Sequence, residues 1–151
     1  MDVNKVVIAL EQVIAAVKEQ PGTIKVSELT RFKKLSDGWV KDLRTGLEWG
    51  PSSDKKMNWE NAKSYCEKQG GILPERFELE SILDLTKYNP VVDKDFFPDT
   101  KTDDWYWSNT QHAGFPGVAW FVGFGDGYVG YSDKGLYFYV RPVRSSQCLI
   151  I

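Results

Sequence analysis

Between Trp105 and Arg144 the chain interleaves most of its aromatic residues with glycine. It runs Trp105-Tyr106-Trp107-Ser108-Asn109-Thr110, then Val118-Ala119-Trp120-Phe121-Val122-Gly123-Phe124-Gly125-Asp126-Gly127-Tyr128-Val129-Gly130-Tyr131, then Leu136-Tyr137-Phe138-Tyr139-Val140-Arg141-Pro142-Val143-Arg144. Aromatic and β-branched residues favour pleated strands, and glycine between them lets the chain turn sharply. The stretch therefore demands short antiparallel strands. Large rings are usually buried, so one reading makes these residues the core of a small β-rich domain. The other has some of them left outside as flat surfaces that stack on a ligand. Few side chains suited to catalysis fall among them, so the stretch points to binding more than to chemistry.

The 151 residues suffice for one cored domain with a small appendage. Residues 1–20 supply the appendage. Val3, Val7, Leu10, Ile14 and Val17 recur at spacings of four and three, which predicts an amphipathic helix or about two heptads of coiled coil. Pro21-Gly22 ends it, and residues 21–30 read as a linker. A helix so short is marginal alone, so its apolar seam predicts self-association. The seam residues do not match the dimer preference well, which favours a trimer.

Residues 31–151 form the domain. Arg31–Leu35, Trp39–Asp42 and Leu47–Trp49 read as strands around turns at Asp37-Gly38 and Thr45-Gly46. Asn58 suits a helix N-cap, Trp59, Ala62, Tyr65 and Cys66 share one face, and Gly70-Gly71 closes that helix. A second helix is expected after Pro74, with Phe77, Leu79, Ile82 and Leu83 as its apolar face. An acidic loop from Asp93 to Asp104 precedes the aromatic strands. The class is α+β, with both ends of the domain in one sheet.

A formal net charge of -2 leaves no basic footprint for nucleic acid, and one histidine, His112, excludes a multi-histidine metal site. No apolar run is long enough to insert in a membrane. The apolar start is broken by Glu11 and Gln12, so no signal peptide is read there and the chain is expected to be made in the cytoplasm. Cys66 and Cys148 are then expected reduced. The ending Cys148-Leu149-Ile150-Ile151 has the letters of a prenylation box, but an apolar final strand explains it equally and no polybasic stretch supports it.

Residues 31–144 resemble the DUF1566 family, the C-terminal domain of Legionella collagen-like proteins. The resemblance rests on Thr45-Gly46-Leu47-Glu48-Trp49, Ser64-Tyr65-Cys66, Gly70-Gly71-Ile72-Leu73-Pro74, Tyr106-Trp107-Ser108-Asn109-Thr110, Ala119-Trp120-Phe121-Val122, Asp126-Gly127-Tyr128-Val129 and Tyr139-Val140-Arg141-Pro142-Val143-Arg144. It implies a C-type-lectin-like fold, in which loops over a small twisted sheet bind ligands, as in adhesins, phage receptor-binding proteins and the variable proteins of diversity-generating retroelements. Where that family carries Arg-Leu-Pro-Thr, this chain has Ile72-Leu73-Pro74-Glu75. Where it often has a cysteine between the closing arginines, this chain has Pro142, so the usual partner of Cys66 is missing. Pro142 also lacks a backbone donor and is expected at an edge or a gap in the sheet.

The calcium-ligand strings of such lectins are absent, and the aspartates of the 93–104 loop lack EF-hand spacing, so no metal or cofactor is expected. Distant fold cousins make formylglycine with paired reactive cysteines. Cys66 on an apolar helix face does not suit that chemistry, and His112 has no nucleophile beside it. The expectation is a non-enzymatic adhesin, oligomeric through residues 1–20, that binds a host-surface glycan or protein. Delivery without an export signal suggests a phage or prophage tail tip or fibre, with other virion proteins as partners. The alternatives are a structural virion component that no longer binds ligand and an intracellular enzyme. Strand alternation places Phe138, Val140 and Pro142 inward, with Tyr137 and Tyr139 on the other side, and makes Trp120 and Val122 core. Asn109, Gln111, His112, Phe115, Tyr128, Tyr131 and Tyr137 are the expected ligand-contacting residues.

Overall fold

The computed structural model describes residues 30–145. The expectations for the helix of residues 1–20, with its seam Val3, Val7, Leu10, Ile14 and Val17, and for Cys148 lie outside the described residues. The described part is α+β, with two antiparallel sheets and two short helices.

Strands β1 (Phe32–Lys34), β2 (Val40–Asp42) and β3 (Leu47–Trp49) meander through the two expected turns. Gly38 and Gly46 both take positive φ, 88° and 78°, where a side chain would be strained. The Asp37 carboxylate accepts from the Trp39 N–H at 3.1 Å and closes the first turn. Strand β7 (Val143–Ser145) returns to pair with β3, Trp49 opposite Val143 and Leu47 opposite Ser145, so the sheet order is β1-β2-β3-β7. The two ends of the domain do share a sheet.

Helix α1 (Trp59–Lys68) starts where Asn58 accepts the Asn61 N–H at 2.9 Å and stops at Gly70, whose φ is 87°. It buries Trp59, Ala62 and Cys66. Helix α2 (Arg76–Ser81) is a turn and a half long. Leu79 and Ile82 are buried, but Phe77 is 70% exposed, contrary to the expected apolar face. At about 100° per residue Phe77 lies about 200° around the helix from Leu79, so the two cannot share a side.

The second sheet has order β4-β5-β6, from β4 (Trp105–Gln111), β5 (Val118–Gly123) and β6 (Val129–Asp133). Its alternation feeds two cores. Tyr106 and Val122 enter one with Leu79, Ile82, Trp49 and Val143. Trp107, Ala119 and Phe121 enter the other with Trp59, Ala62, Cys66 and Val140.

Residues 138–140 are not a free-standing strand. Phe138 exchanges backbone hydrogen bonds with Met57, while Tyr139 donates to the Trp105 carbonyl and accepts from the Trp107 N–H. The segment is threaded between the 53–57 stretch and β4, so both of its sides are covered. Phe138, Val140 and Pro142 are buried as alternation requires, and Tyr139 points to the other side as expected, where the first core buries it too. Pro142 sits at the junction between this segment and β7. The ladder is interrupted there, and Val140 donates instead to the Ser53 hydroxyl at 3.0 Å.

Arg141 ties these pieces together. Its guanidinium is buried and donates to the Gly50 carbonyl at 2.9 Å, to Asp99 at 2.8 Å and to the Thr100 hydroxyl at 3.0 Å, over the ring of Phe97. Asp99 also accepts the Ser52 N–H, and the Ser52 hydroxyl meets the buried Tyr106 phenol at 2.7 Å. Burial alone would raise the Asp99 carboxyl. The Arg141 charge, its hydrogen bond and the Ser52 amide outweigh that and hold it below its ordinary value.

Two predictions follow from this packing. Leu79→Ala should cost about 2–5 kcal/mol in urea unfolding, whereas Phe77→Ala should stay within about 0.5 kcal/mol. Because the folded Asp99 carboxyl titrates below the unfolded one, its contribution is complete above about pH 4 and is lost as pH falls through the folded value. The stability gap between the parent chain and Asp99→Asn should therefore be constant from pH 7 to about 5 and shrink below about 4.

Candidate functional site

The β4–β5 hairpin ends in a loop that closes on itself. The His112 N–H donates to the Val118 carbonyl at 2.9 Å, and the Val118 N–H returns to Phe115 at 3.1 Å. Within it the Gly114 N–H donates to His112 Nδ1 at 3.0 Å. That bond makes Nδ1 the acceptor and puts the proton of the neutral ring on Nε2.

This loop brings His112 and Phe115 onto two strand residues. The His112 ring lies 4.8 Å from Phe115, 4.6 Å from Tyr131 and 5.7 Å from Trp120, nearly parallel to the indole. Tyr131 meets Trp120 edge-on at 5.0 Å, since the two are directly paired across β5 and β6. The Arg76 guanidinium stands 4.3 Å over the indole and also pairs with Glu80. Phe115 and Tyr131 remain about half exposed, at 56% and 52%. The result is an aromatic platform already packed within itself, with Phe115 and Tyr131 half exposed and His112 half-buried beside them. Offset and edge-on ring packing of this kind is favourable beyond area burial and keeps the rings from reorienting.

Trp120 was expected in the core, yet it is half-buried and belongs to this platform. It shares its sheet face with Val122, but at its end of β5 that face is covered by Arg76 and the rings of His112 and Tyr131 instead of the core. Sequence reasoning missed Arg76 too, for no local pattern marks a helix residue that will lie on an indole.

The other expected residues separate. Tyr128 is three positions before Tyr131, an odd spacing that sends it to the opposite side, where it packs on Trp105 and Phe121 at 5.9 Å from each. Tyr137 is exposed and stacks on none of these rings. The Gln111 carbonyl oxygen holds the Lys134 ammonium at 2.7 Å, and that ammonium in turn lies over Trp59. Asn109 is structural: its amide donates to Glu75 at 2.9 Å, beside the Thr110 hydroxyl at 2.6 Å. The Thr110 oxygen accepts the Arg76 N–H at 2.8 Å. Glu75 thus clamps the strand that leads into the His112 loop to the helix that carries Arg76.

Cys66 is buried against Trp59 and Trp107 in the second core, and burial pushes its thiol up to about 12. A thiol in that state is a packing residue, not a nucleophile. Among the described residues no three histidine, cysteine, aspartate or glutamate side chains are grouped to hold a metal ion.

The model of the Lcl C-terminal domain matches residues 38–144, which span everything from the first turn through Arg144. The chain belongs to the Lcl C-terminal domain family. The match contains the aromatic platform, Glu75 and the Arg141 cluster, and confirms the family resemblance drawn from the motifs. None of the curated proteins matches the chain.

In this Lcl C-terminal domain, Glu75→Ala would leave the Asn109 and Thr110 donors without their acceptor. It should cost about 1–3 kcal/mol and displace the His112 ring resonances. An unchanged His112 spectrum would show that the clamp does not position the platform.

Proposed function

We propose that this chain is a non-enzymatic recognition module that binds a host-surface glycan or protein through the platform of His112, Phe115, Trp120 and Tyr131. The observation that carries the reading is the exposure of Phe115 and Tyr131 on rings that their neighbours already hold in place. Rigid aromatic side chains give contact area at little ordering cost, and a phenol and an imidazole beside them can fix a ligand's orientation. Two helices with two small antiparallel sheets, the first and last described strands in the same sheet, are compatible with a C-type-lectin-like domain, and the family membership supports a binding role. The inert environment of Cys66 speaks against formylglycine chemistry at that thiol.

The finer reading is a homotrimeric adhesin at a phage or prophage tail tip or fibre. It is supported by the apolar seam Val3, Val7, Leu10, Ile14 and Val17 joined to a recognition domain. Three linked copies would turn weak single-site contacts into useful avidity.

A glycan array probed with the full chain tests the reading. Phe115→Ala and Tyr131→Ala should each weaken retained spots about tenfold, equivalent to about 1.4 kcal/mol, without lowering Tm by more than a few degrees. Spots indifferent to both substitutions would remove the platform from recognition. Sedimentation of the same protein should give three times the chain mass, and a monomeric or dimeric mass would contradict the trimer.

A further inference from the structure

At the opposite end of the β4-β5-β6 sheet from the His112 loop lies a cleft of about 330 Å³ that the platform does not use. Trp105 and Tyr88 line it with Asp103, Asp104 and Asp126, and Gly123 forms part of its floor. The Trp105 indole is fixed. It stacks on Phe121 at 4.1 Å and 7°, and meets Phe138 edge-on at 5.3 Å. Gly123 is required there, because a Cβ would stand 2.9 Å from Trp105 Cδ1. Tyr88 is 80% exposed and supplies a second ring at the rim.

The charge of the cleft is unbalanced. Lys56 pairs with Asp104 at 2.9 Å. Asp103 accepts the Tyr139 hydroxyl and shares the Lys56 ammonium electrostatically with Asp104, and Asp126 accepts the Tyr128 N–H, with no salt bridge to either Asp103 or Asp126 among the described residues. Three aspartates with one ammonium beside them leave the lining of the cleft net negative, next to Trp105 and Tyr88.

We propose that this cleft is a second binding site, which takes the alkylammonium group of a lysine side chain presented by a partner protein. Ring faces attract cations through their quadrupole, and a carboxylate pair adds direct attraction. Ionised carboxylates only accept hydrogen bonds and an ammonium only donates them, so the two are fully complementary. The hydroxyls of an amino sugar both donate and accept, and suit a wall of acceptors less well. The volume matches one slender side chain, at the low end of ligand pockets. Among the described residues no three acidic, histidine or cysteine side chains are grouped to hold a metal ion, so a calcium shell has no anchor here.

The test is a titration of the isotope-labelled full chain with Nα-acetyl-lysine methylamide, read at the Trp105 indole N–H, with the Trp120 indole as internal reference. The Trp105 signal should shift saturably with Kd in the millimolar range, weaken as salt is raised, and leave Trp120 unmoved. Asp103→Asn with Asp126→Asn keeps an oxygen acceptor for Tyr139 and Tyr128, and should weaken binding at least fivefold. Nα-acetyl-norleucine methylamide, equal in shape and uncharged, should not bind. An equal response to the norleucine compound, no response to the lysine compound, or tighter binding of glucosamine or calcium at Trp105 would each overturn the proposal. Because the platform reports through Trp120 and His112, failure of either site is read separately from the other.

Discussion

A single buried guanidinium holds three otherwise separate stretches of backbone in one place. Arg141 is the last residue before Pro142, and it reaches the carbonyl after β3, the carboxylate and hydroxyl of the long loop, and the ring of Phe97 at once. A buried charge without partners would be far too costly, so the 97–101 loop must sit where Asp99 and Thr100 can meet it. That placement brings the Lys101 N–H to the Tyr106 phenol at 2.8 Å and so sets the start of β4. The placement of the sheet that carries the aromatic platform depends on this cluster.

From that scaffold the aromatic residues divide by what covers them. Trp49, Tyr106, Trp107 and Tyr139 are enclosed because their strands are sandwiched between helices or other backbone. Phe115, Tyr131 and Tyr128 each rest on neighbouring rings on one side and remain about half exposed. The two ends of the three-stranded sheet differ in chemistry. One carries packed rings with Arg76 among them, and the other a cleft lined by Trp105, Tyr88 and three aspartates.

Much of the fold was legible in the sequence. Asp37-Gly38, Asn58 and Gly70 announce turn, cap and stop through local backbone chemistry, and the structure uses each in that role. Strand alternation placed Phe138, Val140 and Val122 correctly because each has a filled core on its side. It failed for Trp120, where burial is set by what lies across the face and not by the strand's own period. Phe77 misled for a related reason: its helix is too short to establish a stripe. Of the expected contact residues, His112, Phe115 and Tyr131 come together, while Asn109 and Gln111 are bound to Glu75 and Lys134. Nothing in a linear pattern distinguishes an amide that faces a ligand from one that braces a loop 34 residues away.

The central claim is that the chain separates rings that build the scaffold from rings that are presented for contact. Light-driven nuclear polarisation with a flavin dye reports this directly, because only tyrosine, tryptophan and histidine rings that the dye can touch are enhanced. The account predicts enhancement at Tyr131, Tyr128, Tyr137 and His112, and none at Tyr106, Trp49 or Trp107. Silence at Tyr131 and His112 together with a signal from Tyr106 would contradict it.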